Sequence, residues 1–556
     1  MPIPRWHRGH DARESRREQR GSGGLRGQRG YRWQWRRWQR WRCGQRWRRR
    51  QRRHGGHWRH WRAAGTGGAA GTGGAAGSGG AAGGGGTCSG YTVAAAPAVL
   101  AVEPGKSGDL DITLGNGSCG ASTLTLVSPP GNVSASPAGI AAGLTTGKLT
   151  VNVGAAVQPG QYPLTVKATT ATDSATTPVL LAVKNTPGTL DQSFDQDGIL
   201  VPTPGDTSRR AVAVAMFDNG EAIVGATSNT AGWDLIKLKI DGTVDSSFNP
   251  VLPTSGTLRD VAVTADGKIV VAGDMGGQIT VLRFHADGSP DQSFDSDGKA
   301  QVSNVAFAGA SQTAAACAVD SAGNVVIVGW AQTQGVVARM LANGQPDTGF
   351  DGLYGAITVA GVKFRDVGLQ STGKIIATAP KTNTNPDFFF ARVSLTGQVE
   401  LTKSYNLNVE EPNGLAMLPN DDFVTVGGYS GAGAPTMARL SGSTLDAVSS
   451  YGTNGHVALP SVSAPFWVIF GVTATPDGKV VAVGNGGAST SWSSFIFRVD
   501  AAGKVDTTFA SNGLLTFPAT GTPKTYLTAL SNTVGGRVLV AGRNETQGLV
   551  VIRVWN

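Results

Sequence analysis

The sequence predicts an all-β chain: a seven-bladed β-propeller preceded by a β-sandwich and a disordered N-terminus. Three observations predict it. First, a two-part signature recurs seven times at about 53-residue intervals from Gly188 to Asn556, and repetition at that period means stacked four-strand units. Second, each unit offers short runs of β-branched or alternating residues separated by Gly, Asn and Asp, which is strand and hairpin chemistry. Third, the composition changes twice before the repeats begin, from Arg/Trp-rich to Gly-rich and then to Thr, Val and Ala.

One half of the signature is a turn followed by an apolar strand ending in glycine. It reads Asp266-Gly267-Lys268-Ile269-Val270-Val271-Ala272-Gly273 and again Asp477-Gly478-Lys479-Val480-Val481-Ala482-Val483-Gly484, with looser copies near Asn219, Gly323, Gly373, Asp421 and Gly536. The other half is a basic residue, a turn, then an acid and an aromatic, as in Arg283, Gly288 and Asp291-Gln292-Ser293-Phe294. One such sheet cannot bury both faces alone, whereas seven packed radially leave only short protected edges. The array starts in mid-phase. It opens with the second half, Leu190-Asp191-Gln192-Ser193-Phe194, and closes with the first, Arg537 to Asn556. Residues 186–556 are therefore expected to close as a ring, with Asp191 to Pro202 supplying the outer strand of the last blade.

These residues resemble the delta-60 repeat, a bacterial β-propeller repeat of myxobacterial type found in large secreted or surface proteins. The resemblance rests on Leu-Asp-x-Ser-Phe, Asp-Gly-Lys-Ile-Val-Val-Ala-Gly and an Arg-bearing strand, and covers about two thirds of the chain. It implies the fold and carries no catalytic residues. Two copies depart from it: after Gly397 the acid is Glu400 and the aromatic is delayed to Tyr405, and after Asp446 it is delayed to Tyr451.

A basic residue recurs in the third strand of every unit: Lys237, Arg283, Arg339, Arg392, Arg439, Arg498 and Arg553. An acid follows the next turn: Asp191, Asp245, Asp291, Asp347, Glu400, Asp446 and Asp506. A position filled in every blade is expected to hold the blade together through charge pairs or turn hydrogen bonds, and a ring of charges for an anionic ligand is the competing reading. The aromatics Phe194, Phe248, Phe294, Phe350 and Phe509 are read as wedges between blades.

Residues 88–185 read as a sandwich of about 100 residues. Pro159-Gly160-Gln161-Tyr162-Pro163-Leu164-Thr165-Val166 and its neighbours look like the immunoglobulin-like domains of bacterial surface proteins, which implies a spacer or binder. Residues 63–87, with their repeat of Ala-Ala-Gly-Thr-Gly-Gly, lack the large apolar side chains needed to fold and are expected to form a tether. Residues 1–62 hold 21 Arg against 3 acids, a charge of +18, and since the whole chain carries +10 the remainder sums to −8. Arg32 to Arg42 mixes cations with Trp and could bind nucleic acid or an anionic surface. If Arg is CGG, Trp TGG and Gln CAG, the same bases read one nucleotide later encode Gly and Ser. The segment is therefore read as a frame-shifted translation of a longer Gly-rich linker, with the true start and any signal segment upstream. On that reading nucleic acid is no partner unless residues 1–62 are truly translated.

Candidate chemistry is sparse. Cys88 and Cys119 could bridge within the sandwich, as in an oxidising compartment, and Cys317 reads as a core residue. Beyond the first 62 residues only His285 and His456 occur, and they are isolated. No cofactor is expected. Calcium is considered at Asp191, Asp195 and Asp197 with Gly198, and at Asp291, Asp295 and Asp297 with Gly298, though neither set meets the EF-hand spacing. The paired acids Asp421-Asp422 and Glu410-Glu411 read as solvated turns, and Gly143 to Leu149 as a turn into a strand rather than a phosphate loop. Arg259-Asp260 and Arg365-Asp366 precede two inner strands, where they could meet a polar ligand at the channel mouth or form local ion pairs. No stretch of 18 apolar residues is present. The expectation is a monomeric, non-catalytic binding or scaffold protein, secreted or at the cell surface, recognising protein or polysaccharide. The alternative is a carbohydrate-active hydrolase or lyase using carboxylates at the channel mouth.

Overall fold

Hairpin chemistry resolves into seven antiparallel blades, the fifth and sixth joined in one sheet by pairing of Gly428 and Tyr429 with Val468 and Trp467, in the computed structural model, which describes residues 90–556 except 117–119, 229–231, 304–306, 352–353, 382–387, 406–410, 430–435, 458, 460–466, 487–492 and 518–523. The Arg/Trp segment, the tether and the Cys88–Cys119 pairing lie outside the described residues. Blade 2 shows the pattern. Thr257–Val263, Ile269–Met275, Gln278–Phe284 and Lys299–Gln301 follow one another from the centre outward, each pairing antiparallel with the next. The inner strands of successive blades lie against one another all the way round, and Arg210–Met216 of blade 1 meets Thr525–Leu530 of blade 7. The chain is thus an all-β, seven-bladed propeller.

Blade 7 borrows its outer strand. Ile199 and Leu200 pair with Ile552 and Val551, and Leu190 bridges Val554. Main-chain bonds from Gly188 to Trp555, from Asp191 to Arg553 and from Trp555 to Thr189 fix the same junction. The two ends of the array therefore hold each other.

The glycine that ends the apolar strand of five blades has a specific cause. The inner strand carries a β-bulge at Leu258/Asp260, Ala314/Ala316, Pro412/Gly414, Ile469/Gly471 and Leu527/Ala529. Beside the bulge, a Cβ on Gly273, Gly329, Gly427, Gly484 or Gly542 would lie 1.9–2.4 Å from an inner-strand carbonyl oxygen. In these five blades glycine leaves room for that oxygen, whereas blade 1 keeps Ala226 beside its Ala211/Ala213 bulge and the second strand of blade 4 has no glycine. The wedge aromatics are interior as read: Phe194, Phe294, Phe350 and Phe509 are no more than 1% exposed, with Phe248 at the edge of burial.

Residues 92–183 form a two-sheet sandwich. One sheet holds Thr92–Ala96, Ser107–Gly115, Thr146–Val153 and Val133–Ala135, and the other Val99–Val102, Ser174–Val183, Gly160–Thr169, Ser122–Leu126 and Ala138–Ile140. Period-two alternation does the sorting: Leu110, Ile112 and Leu114 point inward with Leu149, Val151, Leu164 and Val166 while their neighbours face out. Leu144, in the Gly143 to Leu149 stretch, is exposed just ahead of the Thr146–Val153 strand.

Sandwich and ring belong to one compact unit, Gly83–Asn556. Val99 and Ala182 of the sandwich bury against Trp555, with Leu180, Ile240 and Val534 at the margin. The turn at Gly535 and Gly536 passes so close that a Cβ would touch Val99 or Lys184. The sandwich thus covers blades 7 and 1 on the face that carries the turns between first and second strands. Among the described residues no helix is long and apolar enough to cross a membrane.

Candidate functional site

The recurring basic residue is a fastener between blades. In blade 2, Arg283 Nε donates to Asp291 Oδ2 at 2.7 Å, Nη2 to Ser293 Oγ at 3.1 Å, and Nη1 to the Ala342 carbonyl of blade 3 at 2.6 Å. The guanidinium stacks 4.5 Å from the centre of the Phe294 ring. Asp291 Oδ1 accepts from both the backbone N–H and the hydroxyl of Ser293. Every letter of Asp-x-Ser-Phe is thereby accounted for: the acid orients the guanidinium, the serine closes the turn, and the ring supports the cation. Arg553 repeats the arrangement with Asp191, Ser193, Phe194 and the Ile240 carbonyl of blade 1. Arg498 does so with Asp506, Thr508, Phe509 and the Asn556 side chain. Arg339 and Arg392 likewise reach the carbonyls of Leu395 and Gly442 in the following blade.

Two blades depart. In blade 1, Lys237 meets Glu221 and Asp245 at 3.2 and 3.4 Å, and an ammonium has no fork to bridge to the next blade. In blade 5 the expected pairing of Arg439 with Asp446 is overturned. The turn there is longer, so Val448 occupies the backbone position of the acid, donating to the Arg439 carbonyl and accepting from Tyr451. Arg439 turns to Asp422 at 2.7 Å, and Asp446 bonds Lys403 instead. Glu400 does pair with Arg392, at 2.9 Å.

Electrostatics follow burial. Burial opposes ionisation of Asp291 and Asp506, but the hydrogen bonds from Ser293 and Lys268, or from Thr508 and Lys479, together with the neighbouring arginine, outweigh it. Asp291 is held far below the usual carboxylate range and Asp506 down to about 2. Arg553 is pulled down to about 9 by burial and by the adjacent Arg537 guanidinium, against the pull of Asp191. Replacing Arg283 by Lys keeps the charge and loses the fork and the stack. The expected cost is about 2–4 kcal/mol in chemical denaturation, with faster amide exchange at Ala342 to Gly344.

At the opposite mouth of the channel, Arg259 and Arg365 do not pair with their neighbouring acids. Arg259 bonds Asp274 at 3.1 Å, and Arg365 reaches Glu411 at 3.3 Å while lying over Trp330 beside Lys363. Asp260 and Asp366 turn into the wall of the ring. Asp260 accepts from the N–H of Val261 and of Cys317 in blade 3, both at 2.8 Å. Asp366 accepts from Val367 at 2.7 Å and from Leu415 in blade 5 at 2.6 Å. Burial raises Asp260 to about 6, and burial with the charge of Asp260 raises Asp366 to about 7. The Cys317 thiol is pushed up by burial and by both acids.

The acids read from sequence as solvated are engaged: Asp421 accepts from the amide and hydroxyl of Ser371, and Glu411 takes Arg365. Glu410 lies outside the described residues. In the turns considered for calcium, Asp191 and Asp291 are committed to arginine and serine, and Asp197 and Asp297 accept backbone N–H bonds. Among the described residues no group of three or more His, Cys, Asp or Glu converges on one point.

Sequence reasoning missed a set of clefts with charged residues in their walls on the sandwich-bearing face. One lies between blades 2 and 3, about 500 Å³, lined by Lys268, Arg283, Ser293, Ala342 and the turn at Asp320 to Gly323. A second, about 330 Å³, lies between blades 4 and 5 at Lys374 and Arg392. The third, about 960 Å³, runs between blades 6 and 7 at Lys479 and Arg498 and is walled by Glu103 and Lys184 of the sandwich. The lysine after the turn glycine was the available signal, in Asp266-Gly267-Lys268, Thr372-Gly373-Lys374 and Asp477-Gly478-Lys479, since each of these clefts opens beside one.

Residues 264–294, 323–350 and 475–509 match a family described as a domain of unknown function (DUF5122) beta-propeller. Each matched stretch runs from the first turn of a blade to the phenylalanine of its clamp. Fold and match together define a β-propeller protein. Among curated proteins none matches the chain. Solved structures with a similar fold include a luciferin-regenerating enzyme, 11% identical over 65% of this chain and 96% of that one, with a TM-score of 0.35. A quinonprotein alcohol dehydrogenase-like protein from Bacteroides thetaiotaomicron is 10% identical over 82% and 95%, with a TM-score of 0.32. A Hadza microbial sialidase is 9% identical over 75% and 77%, also at 0.32.

Proposed function

We propose that this chain is a non-catalytic recognition protein, a delta-60-type propeller carried with an immunoglobulin-like sandwich at a bacterial cell surface or in its surroundings, and that it binds protein or polysaccharide. The observation that carries the reading is the division of labour among its charges. The repeated arginines of five blades are spent on holding neighbouring blades together and the basic residues of blades 1 and 5 on charge pairs within their own blade, while the clefts beside them stay open on one face. The mouth carboxylates that acid–base chemistry would require, Asp260 and Asp366, each already accept two backbone N–H bonds.

The raised Asp260 and Asp366 favour one competing reading, a glycoside hydrolase or lyase using them as acids. One experiment separates the two. The purified chain is passed over immobilised acidic and neutral polysaccharides and surface proteins, and soluble forms of the same polysaccharides are assayed for new reducing ends and unsaturated products. Retention without product is the expected result. Product that scales with protein and disappears in Asp260→Asn and Asp366→Asn would make the chain an enzyme.

A further inference from the structure

The seam between blades 7 and 1 is already occupied, and its occupant shows what these seams accept. Gln161 projects from the sandwich, and its Nε2 donates to Ser193 Oγ at 2.9 Å and to the Ile240 carbonyl at 3.1 Å, with the Ser193 carbonyl at 3.5 Å. Both near acceptors belong to the clamp, since Arg553 donates to the same two atoms. In the seam between blades 2 and 3 their equivalents are Ser293 Oγ and the Ala342 carbonyl, held in the same way by Arg283. There both line the open cleft.

We infer that the cleft between blades 2 and 3 is a docking site for a partner protein, which enters it with the side-chain carboxamide of an exposed strand as Gln161 enters the 7–1 seam. The chemistry selects the group. Ser293 spends its own proton on Asp291, and its oxygen and the Ala342 carbonyl each accept from Arg283 with one lone pair to spare, so an incoming group must bring donors. A carboxamide –NH2 brings two protons on one nitrogen and can serve both acceptors at once, whereas a single sugar hydroxyl serves one. A carboxylate set against these two acceptors would oppose oxygen with oxygen, although Lys268 and Arg283 share the wall with Asp266 and Asp320. Setting another acceptor against either spare lone pair would cost affinity.

This inference rests on the recognition role proposed above. Its test uses the full chain and a hexapeptide of residues 159–164, Pro-Gly-Gln-Tyr-Pro-Leu, carrying a photoreactive group at its C-terminus, with the Gln→Glu peptide as control. Labelled peptides are mapped by mass spectrometry. The expected result is labelling within residues 320–343 that falls at least about tenfold with the Glu peptide and with Ala322→Trp, which fills the cleft mouth from an exposed turn and leaves the clamp intact. Equal labelling by both peptides, no labelling of 320–343, or displacement by a neutral hexose oligosaccharide would overturn it. Failure here with polysaccharide retention intact sinks only the carboxamide site, whereas product formation in the earlier assay sinks the recognition role itself.

Discussion

Asp191→Ala is expected to destabilise the ring by at least about 3–5 kcal/mol, the range for stripping one partner from a buried ion pair. Asp191 is 1% exposed and is the counter-charge for two enclosed guanidiniums, Arg553 at 2.8 Å and Arg537 at 3.5 Å. In blades 2, 4 and 6 the second cation is a lysine that keeps contact with water, Lys268, Lys374 or Lys479. In blade 7 it is Arg537, with no exposure, because the sandwich side closes over it. Burial already lowers Arg537 and Arg553 from their ordinary values. Removing the carboxylate leaves two like charges side by side without a partner, and it also opens the turn that starts the closing strand. Asp245→Ala is the matched control. There Lys237 retains Glu221, so about 1 kcal/mol is expected. Denaturant midpoints at constant slope decide the matter. If the two variants unfold alike, Asp191 does not hold the closure.

The second large effect is a stability that declines as pH rises from about 4 to 7. Asp260 and Asp366 have folded values of about 6 and 7 against 3.8 unfolded. Across that window the folded state binds more protons than the unfolded one, so the free energy of unfolding falls with increasing pH. The two groups together are worth on the order of 2–5 kcal/mol, discounted because both keep a little accessible surface along the channel wall. Below about 4 the sign reverses. Asp291 and Asp506 are depressed in the fold, and their contribution is lost as they protonate. Stability is therefore expected to peak near pH 4. Asp366→Asn should remove the larger part of the decline above that pH. It should not raise stability at pH 7, because an amide supplies only one acceptor oxygen for the N–H groups of Val367 and Leu415. Urea titrations at half-unit pH steps test this, and a flat profile between pH 4 and 7 would refute it.

The parts of this molecule that could be read in advance are those encoded locally and repeated. The turn chemistry, the apolar runs and the spacing from Arg283 to Phe294 all lie within one blade, so they are visible in any copy. The glycine closing the second strand of five blades was visible as a letter, but its cause, a bulge in the strand beside it, was not. Blade 5 misled the reading because Asp446 sits at a plausible spacing in a turn that has lengthened, and only backbone pairing shows Val448 in the acid's place. Asp260 was legible as a residue before an inner strand. Its partner, the Cys317 amide, lies 57 residues away in another blade. Gln161 had no signal of any kind, since its role exists only where two separately folded surfaces meet.

The phase of the repeat also has a consequence for how the protein is made. Asp191 leaves the ribosome 362 residues before Arg553, the residue it must bond. Until the final strand emerges, the segment from Leu190 to Leu200 has no sheet to join. The nascent chain must carry an unpaired strand and an open edge until the strand of blade 7 has been made. Loss of residues 548–555 would therefore produce an arc with two sticky ends rather than a slightly shortened ring, since that one strand joins both ends of the array.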